Sequence, residues 1–260
     1  MPKFHVITKG DRQSEGVAAT LRDALLQRGM TVDTENPDIV ITVGGDGTFL
    51  RAIHRHMDDL DRCVFVGMHT GTLGFTTSYA VDEWDLLVYD LINRTAPVTS
   101  IPLLKVDVET NDGVTTYHAV NEIRIENVIR TQLLNVTINQ TFLETFRGTG
   151  LCISGQVGST AYNRSAGGAI LQEGLDLLQI TEITGIHHRA YRSLGSPLII
   201  GKDSVIVLDS DDFNGAVLCY DHESVPLDNV RKLTLRYAKQ KAQVMSRADK
   251  HYFERLKNLF

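Results

Sequence analysis

Residues 39–48, Ile39-Val40-Ile41-Thr42-Val43-Gly44-Gly45-Asp46-Gly47-Thr48, constrain this chain more than any other stretch. The first five are β-branched and bounded by Pro37 and Gly44, the pattern of a strand buried on both faces. A strand of that kind needs helices above and below it, and its neighbours supply them. Val17, Leu21, Ala24 and Leu25 recur at helical spacing, predicting a helix over 14–28 closed by Gly29. Phe49, Leu50, Ile53 and Met57 predict a second helix, opening at Thr48. Trp84, Leu87, Val88 and Leu91 predict a third, with Asp82 as its N-cap. Phe4-His5-Val6-Ile7 and Cys63-Val64-Phe65-Val66 read as further strands. This βαβα order predicts a parallel sheet covered by helices over 1–98.

Past Pro97 the texture changes. Short runs rich in Val, Ile, Thr and Tyr are separated by turn signals such as Asn111-Asp112-Gly113 and Asp211-Asp212-Phe213-Asn214-Gly215. Apart from a short helix around 159–166, helical periodicity is scarce, so 99–246 reads as an antiparallel β domain, a sandwich or similar. Tyr252, Phe253, Leu256 and Leu259 return to helical spacing. A helix over 247–260 is expected to pack back on the first domain, with an apolar underside and a solvated Arg/Lys face. A length of 260 residues suits two modest domains.

Composition removes several function classes. The formal net charge is −6, from 26 basic and 32 acidic side chains, which disfavours a nucleic-acid or anionic-membrane surface. Phosphorylated ligands stay open, because backbone dipoles bind anions on acidic proteins. The three cysteines, Cys63, Cys152 and Cys219, form no C-x-x-C pair, so neither a disulfide framework nor a zinc ribbon is expected. No apolar run approaches the roughly 20 residues of a membrane helix, and the N-terminal stretch lacks a signal-peptide core. A reduced cytoplasmic protein is the expectation. The nine histidines show no metal spacing: His54 and His56 are two apart on a helix, and His187-His188 are neighbours.

The chemistry concentrates at Gly44-Gly45-Asp46-Gly47-Thr48. Glycines between a strand and a helix let the backbone approach a ligand, and the helix N-terminus offers unpaired N–H groups to a phosphate. A carboxylate is out of place in a purely anion-binding turn. Asp46 therefore holds a divalent cation, takes a proton from an attacking hydroxyl, or does both. The spacing is neither G-x-x-x-x-G-K-[ST] nor G-x-G-x-x-G.

The turn resembles that of the NAD kinase, diacylglycerol kinase and 6-phosphofructokinase group, and later segments narrow the resemblance to the NAD kinase family. These are Gly67-Met68-His69-Thr70-Gly71-Thr72-Leu73-Gly74-Phe75, Asn121-Glu122, Phe146-Arg147-Gly148-Thr149-Gly150-Leu151, Gly158-Ser159-Thr160-Ala161-Tyr162-Asn163, Gly195-Ser196-Pro197-Leu198 and Asp221-His222, in that order. The resemblance implies phosphoryl transfer from ATP, in some members from polyphosphate, to the 2′-hydroxyl of the adenosine ribose of NAD. It also implies Mg²⁺ or another divalent cation with the ATP. The implied fold is a Rossmann-like α/β domain followed by a β-sandwich. The implied NAD site lies between domains, in a homodimer or homotetramer whose subunits share site residues.

Carried over by resemblance, Asp46 is the proton acceptor, and Asn121 and Glu122 hold adenine and ribose groups. Thr160, Ala161, Tyr162, Asn163 and Ser165 line the dinucleotide. Gly44, Gly45, Gly47, Thr48, Gly71, Leu73, Gly74, Phe75, Arg147, Thr149, Gly185 and His222 complete the implied binding set. Glu suits a ribose diol and Asn an adenine edge on chemistry alone. Read without the family, Asn121-Glu122 is an ordinary polar step, Tyr162 a core residue and Arg147 a solvated charge. Three positions depart from the family pattern. Thr149 stands where many members carry Asp, Gly155-Gln156 where many carry Thr-Pro, and Thr72 where a bulkier polar residue is common. A lipid kinase of the diacylglycerol kinase type would need an apolar acceptor cleft, and the sugar-kinase reading lacks a second βαβ rhythm. A non-catalytic NAD(P)-binding sensor sits poorly with the retained Asp46.

Overall fold

The computed structural model describes residues 1–186, 193–247 and 252–258. The chain divides into two compact units, one formed by Met1–Ile101 with the chain from Gln240 onward, the other by Pro102–Lys239.

In the first unit, strands β1 (Lys3–Thr8), β2 (Thr31–Val32), β3 (Ile39–Val43), β4 (Val64–His69) and β5 (Tyr79–Ala80) all pair in parallel. β3 lies between β1 and β4, and Val40, Ile41 and Val43 are fully buried. Helices α1 (Arg12–Gln27), α2 (Asp46–Arg55) and α3 (Trp84–Asn93) accompany this sheet. Leu21 and Leu25 of α1 and Leu87 and Val88 of α3 join Phe4, Ile41, Val66 and Met68 in one core.

Three local expectations are corrected. α2 opens at Asp46 with Gly45 as N-cap, not at Thr48, so the carboxylate falls in the first helical turn, where an acidic group complements the helix dipole. Asp82 is not the cap of α3. It lies inside a 3₁₀ turn, Val81–Glu83, and Glu83 caps instead while its carboxylate accepts from Ala80 N at 2.9 Å. The C-terminal helix, α5 (Tyr252–Lys257), buries Arg255 and exposes Phe253, the reverse of an apolar underside. Leu259 and the pair His187-His188 lie outside the described residues.

The second unit is mostly antiparallel. It contains β6 (Val98–Thr110), β7 (Val114–Ala119), β8 (Glu122–Glu126), β9 (Gln132–Ile138), β10 (Thr141–Ser154), the four-residue α4 (Tyr162–Ser165), β11 (Leu177–Gly185), β12 (Leu198–Gly201), β13 (Ile206–Asp209), β14 (Val217–Tyr220), β15 (Glu223–Pro226) and β16 (Val230–Met245). The ends of β6 and β16 belong to the first unit, where β16 pairs in parallel with β4 at Gln243–Met245. The strand order is β15-β14-β8-β10-β9-β13-β16.

Not all runs are short: β6, β10 and β16 are 13, 14 and 16 residues long. Gly148 and Gly150 break the apolar alternation of β10 in sequence without ending the strand, because there it changes neighbours. Its first half pairs with β9, and its second half lies between β8 and β11. One core gathers Leu104, Val136, Phe146, Leu151, Leu178, Leu218 and Leu235. Among the described residues no helix is long and apolar enough to cross a membrane.

Phe146 is fully buried in that core. Phe146→Ala is expected to destabilise the fold by about 3–5 kcal/mol, the range for emptying a buried aromatic position. Urea unfolding followed by circular dichroism checks this, and a loss below about 1 kcal/mol contradicts the packing.

Candidate active site

In the first unit the site is built where β3 hands over to α2. Gly44 N donates to Met68 O at 2.9 Å, so the turn is tied to the end of β4. From β4 the chain enters the second glycine-rich loop, which closes on Asp46. Phe75 N reaches Asp46 Oδ2 at 3.0 Å. Thr76 N and Thr76 Oγ1 reach Oδ1 at 2.9 and 2.6 Å. A Cβ on Gly74 would press into the Asp46 carboxylate, so glycine there is a condition of the approach. Thr77 Oγ1 accepts from Gly74 N at 3.1 Å and stiffens the same bend.

A carboxylate has about four acceptor positions. These bonds take two on Oδ1 and one on Oδ2, which leaves about one, on Oδ2, for an incoming hydroxyl. Gly45 and Gly47 are exposed beside it while Thr48 is buried. Gly71 carries its carbonyl 2.6 Å from His69 Nδ1. Leu73 and Phe75 are half-buried.

In the second unit the predicted residues fall into two groups. The first surrounds Asn121-Glu122. Asp221, held in the left-handed region at φ 54°, accepts from Val120 N and Asn121 N at 2.7 Å each, and from Glu122 N at 3.4 Å. Gly158 lies against Asn121 so closely that any Cβ would overlap the Asn121 carbonyl. The Arg124 guanidinium stands 4.0 Å from the centre of the Tyr162 ring and pairs with Glu126 at 2.5 Å.

Glu122 is 5% exposed, and its Oε2 has no hydrogen-bond partner. Burial above all, then the Asp221 charge, raises its pKa to about 7 against the opposing pull of Arg124. An orphaned buried carboxyl oxygen is costly in a folded protein and marks a group suited to a ligand. His222 is exposed and approaches Glu223 at 3.4 Å.

Thr160 and Ala161 are half-buried and Ser165 is exposed. Asn163 differs from them. It is fully buried, its amide donating to the Ser159 and Ala169 carbonyls while Thr181 Oγ1 donates to its oxygen at 2.7 Å. Its side chain pins the segment from within.

The second group is Arg147, Thr149 and Gly185. Gly148 pairs with Gly185 across β10 and β11, and Ile186 N donates to Arg147 O at 2.8 Å. Glu122 pairs with Ser154, further along β10. At about 3.4 Å per residue, Thr149 therefore lies roughly 17 Å along the strand from Glu122. One chain does not bring the two groups together.

Three residues outside the predicted set act on it. Thr76 supplies two of Asp46's donors, Arg124 covers Tyr162, and Asp221 shapes the Asn121-Glu122 step. Thr76 follows directly on the recognised loop and Asp221 stood within a recognised pair, so both carried a signal. Arg124 carried none. Among the described residues no group of three or more His, Cys, Asp or Glu side chains converges to hold a metal ion. His56 instead meets His5, with 3.0 Å between ring nitrogens, and burial lowers the pKa of His5 to about 4.

A carboxylate in a glycine turn, open to a hydroxyl and adjoining a helix N-terminus, together with a β unit carrying a polar cradle, defines a phosphotransferase acting on an alcohol. Residues 8–96 match the ATP-NAD kinase N-terminal domain and residues 120–246 the ATP-NAD kinase C-terminal domain. NAD kinase 1 of Bacillus cereus is 36% identical over 260 residues, covering 99% of this chain and 98% of the relative. The NAD kinase of Limosilactobacillus reuteri is 39% identical over 254 residues, covering 95% and 94%. The chain belongs to the NAD kinase family and is an enzyme.

The fold is shared with yeast NADH kinase complexed with NADH, at a TM-score of 0.84 and 18% identity, covering 100% of this chain and 87% of that one. It is shared too with an Archaeoglobus fulgidus NAD kinase in complex with ATP, at 0.78 and 21%, covering 98% of each. The lipid-kinase and sensor alternatives find no support in these matches.

The raised pKa of Glu122 makes a prediction. A carboxyl whose folded pKa lies above its unfolded value holds the extra proton in the folded state. The stabilisation from that proton is fully present below about 4.5 and is lost as pH rises through about 7. Glu122→Gln, permanently neutral, should therefore raise the melting temperature relative to wild type more at pH 8 than at pH 5. Equal shifts at both pH values, by scanning calorimetry, would contradict the burial of this carboxyl.

Proposed function

We propose that this kinase transfers the γ-phosphoryl group of ATP to the 2′-hydroxyl of the adenosine ribose of NAD, giving NADP and ADP. The observation that carries the reading is the Asp46 carboxylate, fixed by the 75–76 loop with acceptor capacity left on Oδ2. In the step, the ribose oxygen bonds to the γ-phosphorus, the bond from that phosphorus to the β-bridging oxygen breaks, and the hydroxyl proton passes to Asp46.

The amides at the start of α2 favour the phosphate chain. Asn121 and Glu122 take the adenine edge and ribose hydroxyls, and Tyr162, backed by Arg124, offers a ring face. Mg²⁺ suits this donor set as a passenger on the triphosphate, with Asp46 the carboxylate able to approach it. Bound so, it would neutralise charge on the phosphate oxygens. Polyphosphate as an alternative donor and NADH as an alternative acceptor use the same groups.

The free thiols of Cys63, Cys152 and Cys219 suit a reducing compartment, in keeping with a cytoplasmic enzyme.

Incubation with ATP, Mg²⁺ and NAD, with enzymatic detection of NADP, tests the activity; no NADP from folded protein would end the reading. Asp46→Asn should lower kcat by about 10²–10⁴ and leave NAD affinity within a few-fold, as loss of a general base does. Near-normal turnover would remove Asp46 from its role.

The separation of the Thr149 group from Glu122 along β10 supports an active species in which a second copy supplies one of them. We therefore assign the enzyme as a homo-oligomer, a dimer or tetramer. Its specific activity is expected to fall on dilution as subunits part. Light scattering that returns the mass of one chain, at full activity, contradicts this.

A further inference from the structure

We infer that the C-terminal helix α5 is a positioning element for Asp46, acting through the second glycine-rich loop. The inference rests on the reacting role of Asp46 proposed above. Among the described residues the donors to the Asp46 side chain are Phe75 and Thr76, so its orientation is set by where that loop lies. The loop is held from its other side by α5 and the residue beyond it. Arg255 Nη1 donates to Phe75 O at 3.2 Å, and Asn258 Nδ2 donates to Leu73 O at 3.3 Å. The Tyr252 ring meets the Phe75 ring edge-on, 6.2 Å between centres.

The Phe75–Thr76 peptide unit is thus gripped at both ends. Its Thr76 N–H serves Asp46, its Phe75 carbonyl serves Arg255, and Gly74 leaves the backbone before it free to follow. Arg255 is 8% exposed, unlike an ordinary surface arginine on a short terminal helix. A guanidinium is withdrawn from water only where fixed acceptors receive it, and here one acceptor is the carbonyl next to Asp46's donors.

The same C-terminal segment takes hold where the loop rejoins the sheet. Arg247 Nη1 pairs with Glu83 Oε1 at 2.8 Å, while Glu83 Oε2 accepts from Ala80 N in β5. Ser246 N donates to Pro97 O at 3.1 Å and fixes the chain just before Arg247. The loop is therefore anchored at its middle and at its exit by residues 164 to 185 positions away in sequence. An element that only capped the unit would have no cause to bond to carbonyls of this loop in particular.

Removing Arg255 leaves the α2 amides and the Asn121-Glu122 step in place and lets the Asp46 carboxylate wander. Arg255→Ala should lower kcat by about 10–30-fold, the worth of one hydrogen bond to a charged group, with KM for NAD and ATP within about 2-fold. Arg255→Lys, which can still donate to Phe75 O, should recover most of the loss. Asn258→Ala, at an exposed site, should cost about 2–5-fold in kcat. In an Asp46→Asn background, Arg255→Ala should add less than about 2-fold, because the group it positions is gone.

Hydrogen exchange gives a readout independent of turnover. The amides of Phe75 and Thr76 should exchange faster in Arg255→Ala, with the rest of the sheet unchanged. If wild type makes no NADP, the proposed reaction fails while the exchange arm still tests the brace. Folded Arg255→Ala with wild-type kcat, or with unchanged exchange at those amides, overturns the inference. So does a loss that is equal in both Asp46 backgrounds. Should Arg255→Ala not fold, Arg255→Met, which keeps the apolar stem and loses the donor, and Asn258→Ala carry the same criteria, and wild-type kcat and exchange in both overturn it.

Discussion

A carboxylate drawn out of bulk water at the start of a helix has to find donors, and Asp46 finds three in one loop. Much of the first unit follows from that. The loop can close only if β4 ends beside the turn, which the parallel pairing of β3 with β4 and the Gly44 N to Met68 O bond secure. It can approach only with no side chain on Gly74. It can stay only if its own carbonyls are held, and the buried Arg255 with Asn258 hold them. One hydrogen-bonded group links β3, the loop and the C-terminal helix.

The second unit treats its carboxylates unequally, and the inequality divides their roles. Asp221 is surrounded by backbone amides and fixes the bend at 120–122. Glu122, at the end of that bend, is buried with an unpartnered oxygen. Desolvation and the neighbouring Asp221 charge both act against its ionised form. A satisfied carboxylate is scaffold, and a buried one short of donors is ready to exchange its missing bonds for those of a ligand.

How much of this was legible depended on whether the signal was local. The β-branched run 39–43 announced a buried strand and Gly44–Thr48 a strand-to-helix turn, because adjacent residues carry both patterns. The start of α2 was misplaced at Thr48 because Gly45-Asp46-Gly47 reads as loop by propensity. Helical geometry there is imposed by the backbone bonds to Gly45 O. The length of β10 was hidden by Gly148 and Gly150, whose missing side chains answer to crowding from neighbouring strands.

The C-terminal helix was the plainest failure. Its apolar spacing suggested a buried Phe253, yet Arg255 is inside, because its partner is a carbonyl 180 residues earlier that no periodicity can register. Asn163 stands in the recognised cradle, and its amide is engaged by Ser159, Ala169 and Thr181, which pins that segment from within. Family resemblance carried position, and only the bonds distinguish a contact residue from a pin.

In the proposed reaction both substrates carry anionic phosphates and neither has a net positive charge, while the chain carries −6, so long-range attraction cannot gather them. Recognition has to be local and largely made of backbone. The exposed glycines Gly45 and Gly47 bare amides at the start of α2, where the dipole favours phosphate. Asp46 sits in that same turn with the wrong sign. Its bonds to Phe75 and Thr76 draw the carboxylate toward the loop and offset its charge with aligned donors, so the amides and the acceptor oxygen can serve different parts of the substrates. In the second unit the positive charge of Arg124, beside the Tyr162 ring, is matched by Glu126. On the proposed reading, phosphate handling falls to the first unit's backbone, and ring and ribose recognition to the second unit's side chains. An acidic protein can bind a dinucleotide on those terms.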